Sequence, residues 1–103
     1  MNTLRFVPEV EKDALAGFMW YETKAAGLGE EFLRIFYAGA LQIQRNPQIY
    51  PEIDTGIRRF LLRRFPYAIY FITEKSETIV LGLFHCARDP RTIRKELADR
   101  NGT

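Results

Sequence analysis

Residues 57–90, IRRFLLRRFPYAIYFITEKSETIVLGLFHCARDP, constrain the fold more than any other stretch of this chain. β-Branched and aromatic residues crowd it, and turn sequences break it twice. Tyr67 to Thr73 and Thr78 to Cys86 read as strands joined by Glu74-Lys75-Ser76-Glu77, which predicts a hairpin. Ile57 to Arg63 reads as a third strand, turning through Arg64-Phe65-Pro66. A three-stranded meander has an apolar face that must be covered, so the rest of the chain has to supply a second layer.

The first half is patterned to do so. Thr3 to Val7 alternates as a short strand. Pro8 suits a first helical turn, and Glu9 and Glu11 follow where the helix dipole favours acids. Val10, Ala14, Gly17, Phe18 and Tyr21 share one helical face, while Leu15, Met19 and Trp20 lie off it as a second packing surface or as apolar groups awaiting a partner. Gly27 and Gly29 are expected to end this helix and Glu30-Glu31 to open a second. On that second helix Phe32, Phe36, Gly39, Ala40 and Ile43 share a face that Leu33, Tyr37 and Leu41 widen, until Asn46-Pro47 stops it. The product is an antiparallel αα-hairpin whose small residues, Gly17, Gly39 and Ala40, permit close helix approach. Residues 46–56 read as a loop pinned by Ile49, Tyr50 and Ile53, with Asp54-Thr55-Gly56 as the turn into the sheet. Asp89 and Pro90 open a short, basic last helix carrying Ile93 and Leu97. The expected fold is α+β, a single domain over residues 1–103. An N-terminal strand leads to an αα-hairpin packed on a small, mainly antiparallel sheet, and a short C-terminal helix follows.

Strict alternation assigns sheet faces. Arg59, Leu61 and Arg63 share one side of their strand, and Arg58, Phe60 and Leu62 the other. Tyr67, Ile69, Phe71 and Thr73 alternate with Ala68, Tyr70 and Ile72. Ile79, Leu81, Leu83 and His85 alternate with Val80, Gly82, Phe84 and Cys86.

Composition excludes several functions. No apolar run reaches the roughly 18–20 residues of a membrane span, and MNTLRFVPEVEKD lacks a signal pattern, so cytoplasmic residence is the expectation. One cysteine builds neither an internal disulfide nor a thiolate zinc site, and Cys86 reads as a small strand residue. There is no glycine-rich phosphate loop, no H-E-x-x-H and no G-x-S-x-G elbow, so no metal or other cofactor is expected. The formal net charge of +2 is divided unevenly: residues 1–56 hold 5 Lys/Arg against 8 Asp/Glu, and residues 57–103 hold 10 against 5. A basic half points to an acidic partner, either nucleic acid or a protein segment. His85, with Arg58, Arg59, Arg63, Arg64, Arg88 and Arg91 close in sequence, supplies part of what metal-free RNA cleavage needs. Histidine can take a 2′-hydroxyl proton, and arginines can hold a phosphorane. The plainer reading of His85 is a hydrogen-bonded structural residue, and of the arginines a grip on a partner's carboxylates.

Several short features together resemble the RelE/ParE superfamily of bacterial toxins. They are Trp20-Tyr21-Glu22, Gly27-Leu28-Gly29 leading to Phe32, Asn46-Pro47, Arg58-Arg59, Arg63-Arg64-Phe65-Pro66-Tyr67, and His85-x-x-Arg88-Asp89-Pro90. The resemblance runs from Leu4 to about Leu97 and implies a type II toxin–antitoxin module, of the kind that stabilises plasmids. Its cognate antitoxin would wrap the toxin, form any higher assembly with it, and bring it to DNA. RelE-like members are mRNA interferases that cut messages on the ribosome; ParE-like members inhibit DNA gyrase. Here Ala68 stands where a RelE-like nuclease carries a central-strand arginine, and nothing aromatic follows Phe84 to match the nuclease's C-terminal tyrosine. Arg88 falls where a RelE-type arginine is expected. One match against two losses favours the ParE-like branch, with a RelE-like endonuclease using His85, Arg59, Arg63 and Arg88 as the alternative and a diverged, non-toxic binding module as a third reading. For a binding toxin, the contact residues expected for antitoxin or target are Arg58, Arg64, Arg91, Leu15, Met19, Trp20 and Tyr37.

Overall fold

A computed structural model describes residues 2–102. The chain runs β1 (Thr3–Phe6), α1 (Glu9–Lys24), α2 (Leu28–Arg45), a single 3-10 turn (Pro47–Ile49), β2 (Glu52–Asp54), β3 (Ile57–Leu61), β4 (Tyr67–Glu74), β5 (Glu77–His85) and α3 (Pro90–Arg100). The α+β architecture is the expected one. The strands form one sheet of order β1-β5-β4-β3-β2, antiparallel except that β1 pairs parallel with β5. A parallel neighbour for β5 requires a crossover, and the αα-hairpin is that crossover.

The hairpin covers one face of the sheet. Phe32, Phe36, Ala40 and Ile43 of α2 are wholly buried with Ile69 and Phe71 of β4. Close approach depends on glycine at two points. A Cβ at Gly17 would lie 2.4 Å from the Phe32 ring, and one at Gly29 2.6 Å from the Phe18 carbonyl oxygen. Gly39 instead faces the sheet, against Phe60 and Ile69. Gly29 does not end α1, as the sequence reading has it; it lies inside the first turn of α2. The turn is closed by Glu22, whose carboxylate accepts the Gly27 and Gly29 N–H groups, both at 2.9 Å. It thus caps α2 from the preceding helix, because Gly27 at the N-cap has no side chain to do so.

Strict alternation fails in β5. Tyr70 lies opposite Gly82 but Phe71 opposite Val80, so Leu81 is an extra, bulged residue. Residues directly opposite share a face. Ile79 therefore joins Gly82 and Phe84, and Val80 joins Leu83 and His85, the reverse of the expected grouping of Ile79 with Leu83. The bulge and the end of β1 expose backbone groups that two side chains recover. Asp13 of α1 accepts the Leu83 N–H at 3.1 Å, and Arg100 of α3 donates to the Leu81 carbonyl at 3.0 Å. Asp13 and Arg100 pair with each other at 2.6 Å, with side chains only 11% and 13% exposed. Burial alone would lower the Arg100 pKa, but the Asp13 hydrogen bond and the charges of Asp13, Glu96 and Glu9 raise it above its ordinary value.

Other expectations change as well. β3 ends at Leu61 instead of Arg63, and Cys86 lies past β5, exposed. Ile49 does not pin the loop, being 65% exposed. Tyr50 does pin it, edge-on to Phe60 and Phe71. The loop also forms an edge strand, β2, that the sequence did not announce. The second face of the sheet carries α3, with Ile93 and Leu97 buried and the Asp89 side chain accepting the Arg91 N–H at 2.9 Å.

Candidate functional site

The arginines at or near the sheet strands and α3 that the sequence singles out, with Arg34 and Arg94, fall into three groups with different surroundings. Arg58 is 19% exposed and held by the loop before it. It donates to the Tyr50 carbonyl at 2.5 Å and to Gln48, and forms an ion pair with Glu52 at 3.6 Å. A guanidinium so engaged fixes β2 and the 3-10 turn against β3.

A second group lines a cleft of about 110 Å³ between α3 and the second sheet face, with Ile53, Arg59, Tyr70, Cys86, Arg88, Pro90, Ile93 and Arg94 around it. Burial raises the pKa of the Tyr70 phenol, partly opposed by the nearby Arg59 and Arg88. Arg88 lies over the Phe84 ring at 4.7 Å and pairs with Glu96 at 2.6 Å, which fixes and partly neutralises it. Arg91 projects from the first turn of α3 beside Asp89 and is well exposed.

A third group sits at the other end of the sheet. Arg34 of α2 and Arg63 and Arg64 of the β3–β4 turn rim a cleft of about 300 Å³ floored by Ile35, Ala38, Gly39 and Phe60. Arg64 adopts a left-handed backbone, φ 69°, uncommon for a side chain of its size. Its guanidinium is paired with Glu31, which Arg34 also approaches at 3.7 Å. Arg63 has no carboxylate partner among the described residues.

His85 belongs to the hairpin side of the sheet, edge-on to Tyr67 at 5.2 Å. Its Nδ1 accepts the Ala87 N–H at 2.9 Å. A backbone donor requires an unprotonated Nδ1, so the neutral ring carries its proton on Nε2. His85 shares a shallow cleft with Asp13, Tyr67 and Arg88. Of the four residues a nuclease would use, Arg59 and Arg88 meet in one cleft and His85 and Arg88 in another, while Arg63 lines a third. Ala68, at the expected arginine position, is wholly buried.

Leu15, Met19, Trp20 and Tyr37 are all about half exposed, as are Leu41 and Leu61. Leu15 and Met19 are one turn apart on α1, and Tyr37 and Leu41 one turn apart on α2. Tyr37 lines a cleft with Val10 and Glu11, one turn before Leu15. Trp20 is covered on one side by Lys24, whose ammonium lies 4.0 Å from the ring centre. Sequence reasoning identified these side chains but missed Arg34, Tyr70 and Arg94, which no local pattern distinguishes from ordinary helix-surface or strand residues. Among the described residues no helix is long and apolar enough to cross a membrane, and no group of three or more His, Cys, Asp or Glu could hold a metal.

Hairpin, five-stranded sheet and terminal helix together make the expected α+β fold. A solved structure that shares it is a chain of the chromosomal ParDE TA system from P. aeruginosa, with a TM-score of 0.71 at 19% identity, over 82% of this chain and 96% of that one. No protein-family model and no curated protein sequence matches the chain.

Proposed function

We propose that this protein is the toxin of a type II toxin–antitoxin pair, that it acts in the ParE-like manner by binding DNA gyrase, and that a cognate antitoxin neutralises it. The dispersal of the would-be catalytic groups carries this reading. Cleavage needs a base, an acid and fixed cations around one phosphate, within hydrogen-bond reach. Here the histidine accepts the Ala87 N–H, the central-strand position is a buried alanine, and Arg63 lines a cleft apart from Arg59 and Arg88. A surface with half-exposed apolar ridges and cationic clefts supports a binding protein. Leu15, Met19, Trp20 and Tyr37, with Arg64 and Arg91, are its contacts for antitoxin or target.

One observation favours the endonuclease reading: Arg59, Arg88, Arg94 and the Tyr70 phenol converge on one cleft, a plausible grip for a phosphodiester. Inducing the protein in bacteria separates the readings. A gyrase-directed toxin gives DNA damage and filamentation while translation continues, and His85→Ala stays toxic. Arrested translation with cut messages, abolished by His85→Ala or Arg59→Ala, would establish the enzyme instead. Unchanged growth would leave the non-toxic binding module as the best account.

A further inference from the structure

The β3–β4 turn holds its arginines under strain. The Phe65 N–H donates to the Arg63 carbonyl at 2.8 Å across Arg64, whose φ is 69°. A three-residue turn of this hand is rare and strained, and glycine is the residue that adopts it freely. An arginine kept in that conformation points to a use for its side chain. Facing the turn, Arg34, Ala38 and Gln42 follow one another at helical spacing along α2. Together these residues rim the cleft of about 300 Å³, with Ile35 and Phe60 in its apolar floor. Among the described residues no carboxylate lines it. Glu31, outside the lining, pairs with Arg34 and Arg64, so three guanidinium charges stand against one carboxylate and a surplus of two remains.

We infer that this cleft binds a small phosphate monoester carrying a flat, weakly polar group, of the class of a nucleoside monophosphate. Charge and shape both select it. A phosphate monoester carries about −1.5 to −2 charges at pH 7 and three strong acceptor oxygens. That matches the surplus of two and the forked donors of Arg34, Arg63 and Arg64. A carboxylate brings a single charge, as does each phosphodiester inside a nucleic-acid chain, and either leaves one guanidinium unanswered. The floor decides the rest of the ligand. Ile35, Ala38 and Phe60 offer carbon, and Gln42 is the one uncharged polar side chain on the rim. A sugar phosphate has no apolar face to cover that floor. A nucleobase lies flat on it and turns a polar edge to the Gln42 amide. The volume stands at the low end of small-ligand sites, roughly 300–1,000 Å³, which suits one nucleotide better than a chain. The inference goes beyond toxin action and rests on the cleft alone.

The test is calorimetric titration of the full chain with adenosine 5′-monophosphate, compared with adenosine, inorganic phosphate, ribose 5-phosphate and an unphosphorylated tetranucleotide. The nucleotide is expected to saturate the protein with a Kd of about 1 mM or lower, and each comparison ligand to bind at least about tenfold more weakly. Arg63→Gln removes the guanidinium that no carboxylate holds and weakens binding roughly ten- to hundredfold. Ala38→Glu sets a carboxylate on the rim and abolishes binding. Both positions are exposed, so the circular dichroism spectrum stays that of the parent. Arg94→Gln, in the cleft under α3, leaves binding unchanged. Affinity falls as pH drops from about 7.5 to about 5.5, because the monoester takes up a proton with a pKa near ~6. Absence of saturation, equal binding of inorganic phosphate or ribose 5-phosphate, tighter binding of the tetranucleotide, or a loss in Arg94→Gln that Arg63→Gln does not share would each overturn the inference.

Discussion

Replacing Asp13 by alanine removes a side chain that ties α1, β5 and α3 together. Three consequences follow at once: Arg100 loses its partner at 2.6 Å, the Leu83 N–H loses its acceptor, and the bulge in β5 loses its brace. Removing one member of a buried ion pair costs about 3–5 kcal/mol, because the other charge stays behind in a poorly solvated place. Here Arg100 keeps Glu96 at 3.4 Å and the Leu81 carbonyl at 3.0 Å, so the low end applies, about 3 kcal/mol. For a domain of this length that lowers Tm by roughly 12–24 °C. Thermal and urea unfolding followed by circular dichroism measure it. A double-mutant cycle with Arg100→Met separates the pair from the backbone contacts, and a coupling of at least about 1.5 kcal/mol is expected for two groups in direct contact. If Asp13→Ala lowered stability by less than about 1 kcal/mol, or the cycle proved additive, the brace would be a surface ion pair of little consequence and the reasoning would fail.

Glu22→Ala leaves the Gly27 and Gly29 N–H groups without their acceptor and is expected to destabilise by about 1–2 kcal/mol, read by urea unfolding. Gly17→Ala gains helix propensity of about 1 kcal/mol but drives a Cβ into the buried Phe32 ring, so Tm falls instead of rising. Phe32→Ala, at the centre of a cluster with Tyr21, Phe65 and Tyr67, costs about 3–5 kcal/mol by the same measurement. Burial raises the pKa values of Tyr21, Tyr67 and Tyr70 above their ordinary 10.0, so the folded state holds these protons more tightly. Their contribution is fully present below pH 10 and is lost as pH climbs through the folded values; denaturant midpoints should fall on the alkaline side, and less steeply in Tyr67→Phe.

The periodicities alone disclose the layers of this protein. Phe32, Phe36, Gly39, Ala40 and Ile43 recur at helical spacing, Tyr67 to Thr73 alternates, and turn residues mark the connections. Burial of one stripe or one face is a local demand that each segment states for itself, so the hairpin and the central strands are legible without coordinates. The half-exposed Leu15, Met19, Trp20 and Tyr37 are legible too, because they fall off the stripe that a single core can bury. Other features depend on residues far apart in the chain. The parallel pairing of β1 with β5, the reach of Asp13 to Arg100 and the brief β2 edge are agreements between distant segments, and no local period encodes them. The bulge at Leu81 shows how much turns on this: one extra residue moves Ile79 from one face to the other while the run of apolar residues reads the same. The arginines were countable from the start. Their division into a structural clamp at Arg58, a cleft under α3 and an open-edged cleft beside α2 arises only when the sheet and helices pack, because long flexible side chains go where folded carbonyls, carboxylates and space allow.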